Sequence, residues 1–211
     1  MRTRFKSWAK PYLEEHASIA LPSLESDANF FSHDFLHLEI GCGKGDFIIA
    51  MAKRFPHVHF LAVEVSAMVA AVATKKIVDE GIDNVRVMVE NIDAIFPLFK
   101  EQMFDVIYLN FSDPWPKRRH EKRRLTFPSK LLEYERILKN DSYLYFKTDN
   151  TELYEYSLTT FLESPLEVIS YTSNYDTLDE SDACSEYEKI FRSEGKKINR
   201  IIARRKKDET N

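Results

Sequence analysis

The chain has 211 residues, 44% hydrophobic and 30% charged, with a net charge of −4; this is ordinary globular composition and argues against a general nucleic-acid coat protein. No window approaches the ~20 apolar residues of a membrane helix, and the N-terminus lacks an apolar signal segment, so a cytoplasmic protein with no membrane partner is expected. Cys42 and Cys184 have neither metal-type spacing nor the look of a disulfide framework, so no metal is expected.

The length implies a single domain, 1–211, large enough to withdraw roughly 70% of its unfolded surface from water. Within it, residues 1–34 form a basic extension and connector, 35–203 a core, and 204–211 a basic-to-polar tail. The start carries Arg2, Arg4, Lys6 and Lys10, and PYLEEHASIAL predicts a short helix with Pro11 in its first turn. From Phe35 strands and helices alternate: strand 35–40, helix 46–55, strand 59–65, then a helix from a Ser66 N-cap to about Glu80, stopped by Gly81. Strand 84–90, a helix to about Gln102, strand 104–110 and helix 128–139 follow. Strand 142–148, helix 150–163 and strands 166–172 and 197–203 complete the series. Such alternation specifies a mostly parallel α/β sheet with helices on both faces, and its ligands lie beyond the carboxyl ends of the strands.

Charge is segregated. Residues 117–124 carry six cations and Glu121, hence +5, and residues 196–207 carry +7, leaving −16 for the remainder. Two basic segments on an acidic body would guide an anionic macromolecule to them; the bland alternative, weightier for the second run, is solvated surface.

Glu39-Ile40-Gly41-Cys42-Gly43-Lys44-Gly45 lies between a strand and a helix, where glycines admit a ligand close to the backbone. A dinucleotide fingerprint wants glycine or alanine at position 46; Asp46 would instead compete with a pyrophosphate at the helix start. The loop therefore favours a cofactor without phosphates, and S-adenosylmethionine fits, with Glu39 toward its cationic end. Glu64, ending the second strand, is placed to take both ribose hydroxyls, or else to partner the next helix. Asn91 or Asp93 would meet the adenine. Phe104–Arg124, FDVIYLNFSDPWPKRRHEKRR, is a strand that breaks at a proline-flanked acid and indole and then runs into cations. Asp113 is a reaction-centre candidate or an Asp-Pro turn, Trp115 a stacking surface or a cover, and Asp149 a substrate contact or a helix cap.

RTRFKSWAKPYL, LEIGCGKG, the acid in AVEV, LNFSDPWPKRRHEKRRL, YFKTDN and SEYEKIF together resemble the bacterial tRNA (guanine-N7)-methyltransferases, and they span most of the chain in that family's order. The resemblance implies a Rossmann-like class I methyltransferase sheet of seven strands with the last antiparallel. It also implies methylation at N7 of a guanine in the tRNA variable loop (tRNA position 46), by a monomer or homodimer. By position, Glu39, Gly41, Gly43, Glu64, Asn91 and Asp113 would bind S-adenosylmethionine, with Asp113 also catalytic. Lys117, Asp149, Ser185, Glu186, Tyr187 and Glu188 would bind substrate, and Arg119, His120, Glu121, Lys122, Arg123 and Arg124 would contact RNA. Asn91 and Ser185 depart from the family's usual aspartate and threonine. Three other readings remain open here: a dinucleotide-dependent oxidoreductase, a non-catalytic RNA-binding protein, and a methyltransferase acting on a small amine or protein side chain.

Overall fold

A computed structural model describes residues 7–176, 179 and 182–207; Arg2, Arg4 and Lys6 of the basic start and 208–211 of the polar tail lie outside the described residues. The chain forms two compact units, one of residues 1–98 with 181–186, the other of 99–180 with 187–211.

The first unit begins with helix α1 (Ala9–Glu15), with Pro11 in its first turn as the sequence predicts. A two-residue strand β1 (Ala20–Leu21) follows, then two short 3-10 turns at Leu24–Asp27 and Phe30–Ser32. β2 (Leu36–Ile40), α2 (Asp46–Arg54), β3 (His59–Val63), α3 (Ala67–Asp79) and β4 (Val85–Met88) come next. All strand pairings are parallel, in the order β1-β4-β3-β2. The strands read as near-continuous apolar runs because both faces are covered: Leu36, Leu38, Phe60, Leu61, Ala62, Val85 and Val87 are buried. Gly81 at φ +64° ends α3, as expected. Asn84 Nδ2 donates to the carbonyls of Ala52, Phe55 and Val58, tying the α2–β3 connection to the start of β4.

The helix expected up to Gln102 is cut short. α4 covers only Ile92–Ile95 and passes into a 3-10 turn at Phe96–Leu98, because Pro97 has no backbone N–H with which to continue the α-helical ladder.

The second unit contains β5 (Phe104–Asn110), α5 (Pro128–Ile137), β6 (Leu138–Thr148), α6 (Thr151–Leu162), β7 (Glu167–Thr172), α7 (Glu186–Ser193, its first residue in the other unit) and β8 (Asn199–Arg204). β5 and β6 are parallel, and β8 runs antiparallel to both β6 and β7. The antiparallel last strand agrees with expectation. The count does not: eight strands are present among the described residues rather than seven, because β1 adds a two-residue pairing to β4 that is too short to leave a periodic signal. β6 also starts four residues before the predicted strand, and its register with β5 shifts between Phe104 and Val106. Among the described residues, no helix is long and apolar enough to cross a membrane.

Candidate active site

In the first unit the carboxyl ends of β2, β3 and β4 carry the predicted loop and acids. The glycine loop extends the β2–β3 pairing: Gly41 and Cys42 both donate their N–H to Val63 O, at 2.8 and 3.2 Å. A Cβ built on Gly41 or Gly43 meets nothing within 4 Å, so the backbone faces open space that a ligand can occupy. Glu64 spans the loop. Its Oε2 accepts the Gly43 N–H at 3.1 Å and its Oε1 the Ser66 N–H at 2.9 Å. The predicted Ser66 N-cap side chain makes no capping bond; Glu64 takes the backbone role beside it.

Glu39 is buried, one residue before the end of β2. Burial, and then the Glu39 and Glu64 carboxylates, push the Cys42 thiol well above its ordinary value, so both acids act on one point of the loop. A carboxylate-lined, backbone-walled cradle suits a ligand with a cationic centre and hydroxyl donors, and S-adenosylmethionine fits it. A pyrophosphate does not: Asp46 occupies the first turn of α2, with Lys76 Nζ at 2.6 Å from its Oδ2. Asn91 is exposed and caps α4, its Oδ1 accepting the Asp93 N–H at 3.1 Å. Lys44 of the loop reaches Glu186, Nζ to Oε1, at 2.9 Å, which the sequence did not signal because 142 residues separate them.

In the second unit the turn after β5 starts with Phe111, whose N–H donates to Lys147 O at 2.8 Å. Phe111 and Trp115 both take positive φ, +51° and +42°. Between them Ser112 Oγ is buried with no hydrogen-bond partner among the described residues, and Asp113 is exposed. Asp149 follows β6, and Asn150 is the residue that caps α6, accepting the Leu153 N–H at 2.8 Å. The helix-cap alternative for Asp149 is thereby taken by its neighbour; Asp149 instead lies 3.9 Å from Lys196 Nζ. Lys196 sits over the Phe191 ring at 4.3 Å, and Phe191 meets Phe111 at 5.7 Å and Tyr187 at 6.2 Å. One aromatic chain thus joins the Asp149 region to the start of the Asp113 turn. Glu188 has partners other than those the resemblance implied: it is fully buried on Lys147 and Arg192. α7 was not read from the sequence, although the i, i+4 spacing of Glu188 and Arg192 was a helical signal.

Residues 118–123 form a 3-10 turn. Lys117, Arg118, Arg119, Lys122 and Arg123 are exposed and have no ion-pair partner among the described residues. The three-residue repeat of the turn sets Arg119 and Lys122 on one side. Partial shielding, and then the Arg123, Arg119 and Lys117 cations, hold His120 below its ordinary value, so it adds no full charge at neutral pH. The second basic run is largely absorbed inside the unit. Arg200 pairs with Asp179, Arg204 with Glu167, Arg205 with Glu135 and Lys207 with Asp141; Arg200 and Arg205 are buried, so the segment is not simply the solvated surface of the bland alternative. Among the described residues, no group of three or more His, Cys, Asp or Glu side chains is placed to hold a metal.

A family model described as a putative methyltransferase matches residues 33–201. Named tRNA (guanine-N(7)-)-methyltransferases are similar to nearly the whole chain. The one from Oceanobacillus iheyensis is 38% identical, covering 96% of this chain and 98% of its own. That of Bacillus subtilis is 37% identical, covering 95% and 97%. Among solved structures, an S-adenosylmethionine-dependent methyltransferase from Aquifex aeolicus superposes with a TM-score of 0.59 at 15% identity, over 96% of this chain and all of its own. An antibiotic-related methyltransferase reaches 0.62 at 15% identity, over 86% and 93%. These two likenesses establish the Rossmann-like methyltransferase fold.

Proposed function

Because the chain belongs to the tRNA (guanine-N7)-methyltransferase family, we propose that it transfers a methyl group from S-adenosylmethionine to N7 of a guanine in the tRNA variable loop, at tRNA position 46. The observation that carries this reading is that one unit holds both an exposed carboxylate on a strained turn, Asp113, and a run of water-facing cations beginning four residues later at Lys117. The reading places the enzyme in the cytoplasm with its RNA, residues 1–211 working as one methyltransferase domain, monomeric or as a homodimer.

S-adenosylmethionine, when bound, supplies an electrophilic methyl group on a positively charged sulfur. Glu39 would face the cationic end of that ligand, Glu64 would take the ribose hydroxyls and Asn91 would meet the adenine, while Gly41 and Gly43 would let the backbone approach without a Cβ in the way. Guanine N7 carries an in-plane lone pair and no proton, so no side chain has to act as a base. The protein's contribution is orientation. Asp113 presents its carboxylate to the guanine and offsets the positive charge that develops on the ring. Lys117, Asp149, Ser185, Glu186 and Tyr187 hold the substrate, with Glu188 anchoring the helix they adjoin. Arg119, Lys122 and Arg123 grip phosphates.

Incubation with labelled S-adenosylmethionine and bulk tRNA, followed by mapping of the labelled nucleotide, tests the reading. Label at N7 of a variable-loop guanine is expected, and label elsewhere or on no RNA overturns it. Asp113→Ala is expected to lower turnover greatly while changing cofactor affinity moderately; a near-normal rate removes Asp113 from the mechanism.

A further inference from the structure

Arg124 differs from the other cations of its segment. It is half-buried, whereas Lys117, Arg118, Arg119 and Lys122 face water and the exposed Arg123 lies over the Trp115 ring, 4.8 Å from its centroid. Its guanidinium points back into its own unit: Nε donates to Pro114 O at 3.1 Å and Nη2 to Trp115 O at 3.3 Å. The flat face lies 4.1 Å from the centroid of the Tyr156 ring. Those two carbonyls flank Trp115, a non-glycine residue at φ +42°. Left-handed backbone is disfavoured for a bulky L-residue, and doubly so here, because a residue before proline is driven toward extended geometry and Trp115 precedes Pro116. A conformation of that kind persists only where its surroundings hold it.

The holding group is itself fixed. Tyr156 is on α6, and burial followed by the neighbouring Glu121 carboxylate pushes its hydroxyl up to about 12, so it stays neutral beneath the cation. Two residues beyond Arg124, Thr126 Oγ1 meets Ser157 Oγ at 2.7 Å, and Thr160 Oγ1 donates to Thr126 O at 2.9 Å, both buried. The segment is thus bolted to α6 on one side and to the Asp113 turn on the other.

We propose that Arg124 is a positioning residue for methyl transfer: its forked guanidinium holds the carbonyls on either side of Trp115 and so fixes the turn that presents Asp113, rather than gripping an RNA phosphate. This rests on the function proposed above. The planar fork is essential, since an ammonium can neither reach both carbonyls in that geometry nor stack on the tyrosine.

The test compares Arg124→Lys and Tyr156→Leu with Arg119→Ala, each in a Trp8→Phe background that leaves Trp115 the sole indole. Single-turnover transfer at saturating tRNA, the salt dependence of tRNA affinity, and acrylamide quenching of Trp115 are measured. Arg124→Lys and Tyr156→Leu are expected to slow transfer at least about tenfold, since small misplacements of a reacting group are costly. Both should raise Trp115 quenching and leave the salt slope at the parent value. Arg119→Ala should flatten the slope by about 0.7 and leave Trp115 unchanged. Transfer at the parent rate in Arg124→Lys, or Trp115 quenching at the parent level in both variants, overturns the proposal. Should Arg124→Lys fail to fold, Tyr156→Leu, which keeps every cation, carries the comparison. If the parent enzyme methylates no tRNA, the activity reading fails while Trp115 quenching still decides whether Arg124 holds the turn.

Discussion

Lys147 Nζ donates to Glu188 Oε2 at 2.7 Å across 41 residues of sequence, and the two side chains are only 2% and 0% exposed. The other oxygen, Oε1, accepts from Arg192 Nε and Nη2 at 3.0 and 2.7 Å. Arg192 in turn donates to Asp176 O and lies over Tyr175. A carboxylate so enclosed is turned inward onto two cations of its own chain; it fixes α7, the helix that carries Tyr187 and Phe191, to β6.

Removing the Glu188 charge leaves the buried Lys147 ammonium without its carboxylate, at a cost of about 3–5 kcal/mol. Glu188→Gln is expected to lose this much in urea unfolding, and Lys147→Met less, because Arg192 still neutralises Glu188. Tm should fall with it, and tRNA affinity should fall only where the protein is no longer fully folded. A Glu188→Gln protein of parent stability with weakened tRNA binding would return Glu188 to the substrate.

Glu64 holds Gly43 and Ser66 through two backbone N–H groups. Glu64→Gln keeps an acceptor but loses the charge that strengthens hydrogen bonds from hydroxyls. A charged hydrogen bond is worth about 1.5–3 kcal/mol, so titration calorimetry should show S-adenosylmethionine affinity about 10- to 100-fold weaker. Unfolding stability should change little by comparison.

Gly45 sits at φ +83°, and a Cβ there would lie 3.1 Å from the Ala73 Cβ on α3. Gly45→Ala meets both a disfavoured backbone and a close contact with rigid neighbours, expected to destabilise by about 1–3 kcal/mol. The shift in the urea midpoint checks this, with an unchanged midpoint as the contrary result.

Arg119 and Lys122 face water on one side of their 3-10 turn. The double variant Arg119→Ala, Lys122→Ala should reduce the magnitude of the salt slope of tRNA binding by about 1.4, two phosphates at about 0.7 each. A parent-like slope would make this side of the turn plain surface.

His59 should make stability depend on pH. Burial, and then the neighbouring His33 and Arg86, hold it below its ordinary 6.5, while its ring nitrogen bonds Phe30 O. As pH falls the unfolded chain takes up the proton first, so the His59 contribution is complete above 6.5 and is lost as pH drops through the lowered folded value. Unfolding measured from pH ~7.5 to ~5.5 should show this loss, and His59→Phe should remove that part of it.

β5 spans the residues the sequence assigns to it, Phe104–Asn110, and β2, α2 and α3 depart by only a residue or two. Each carries its own periodicity and its own stop signal in glycine or a polar turn. β1 went unread because two residues have no period. α7 is harder to see because Glu186–Ser193 is short and half charged and its one buried residue is the acid Glu188, although Tyr187, Ile190 and Phe191 do recur at helical spacing. The cofactor half of the candidate site was legible from the glycine loop and the acids that end its strands.

The sequence alone determined the succession of strands and helices, the glycine loop, the proline-flanked turn at Asp113 and the two cationic segments, since all of these rest on neighbours in the chain. Tertiary structure decided which charges meet water and which are spent inside. Arg119 and Lys122 face water with no ion-pair partner among the described residues, while Arg124 turns onto carbonyls nine and ten residues back, Arg204 finds Glu167 across 37 residues, and Lys147 finds Glu188 across 41. An ionic side chain takes whichever partner the fold brings within about 4 Å, and that distance is set by packing rather than by composition.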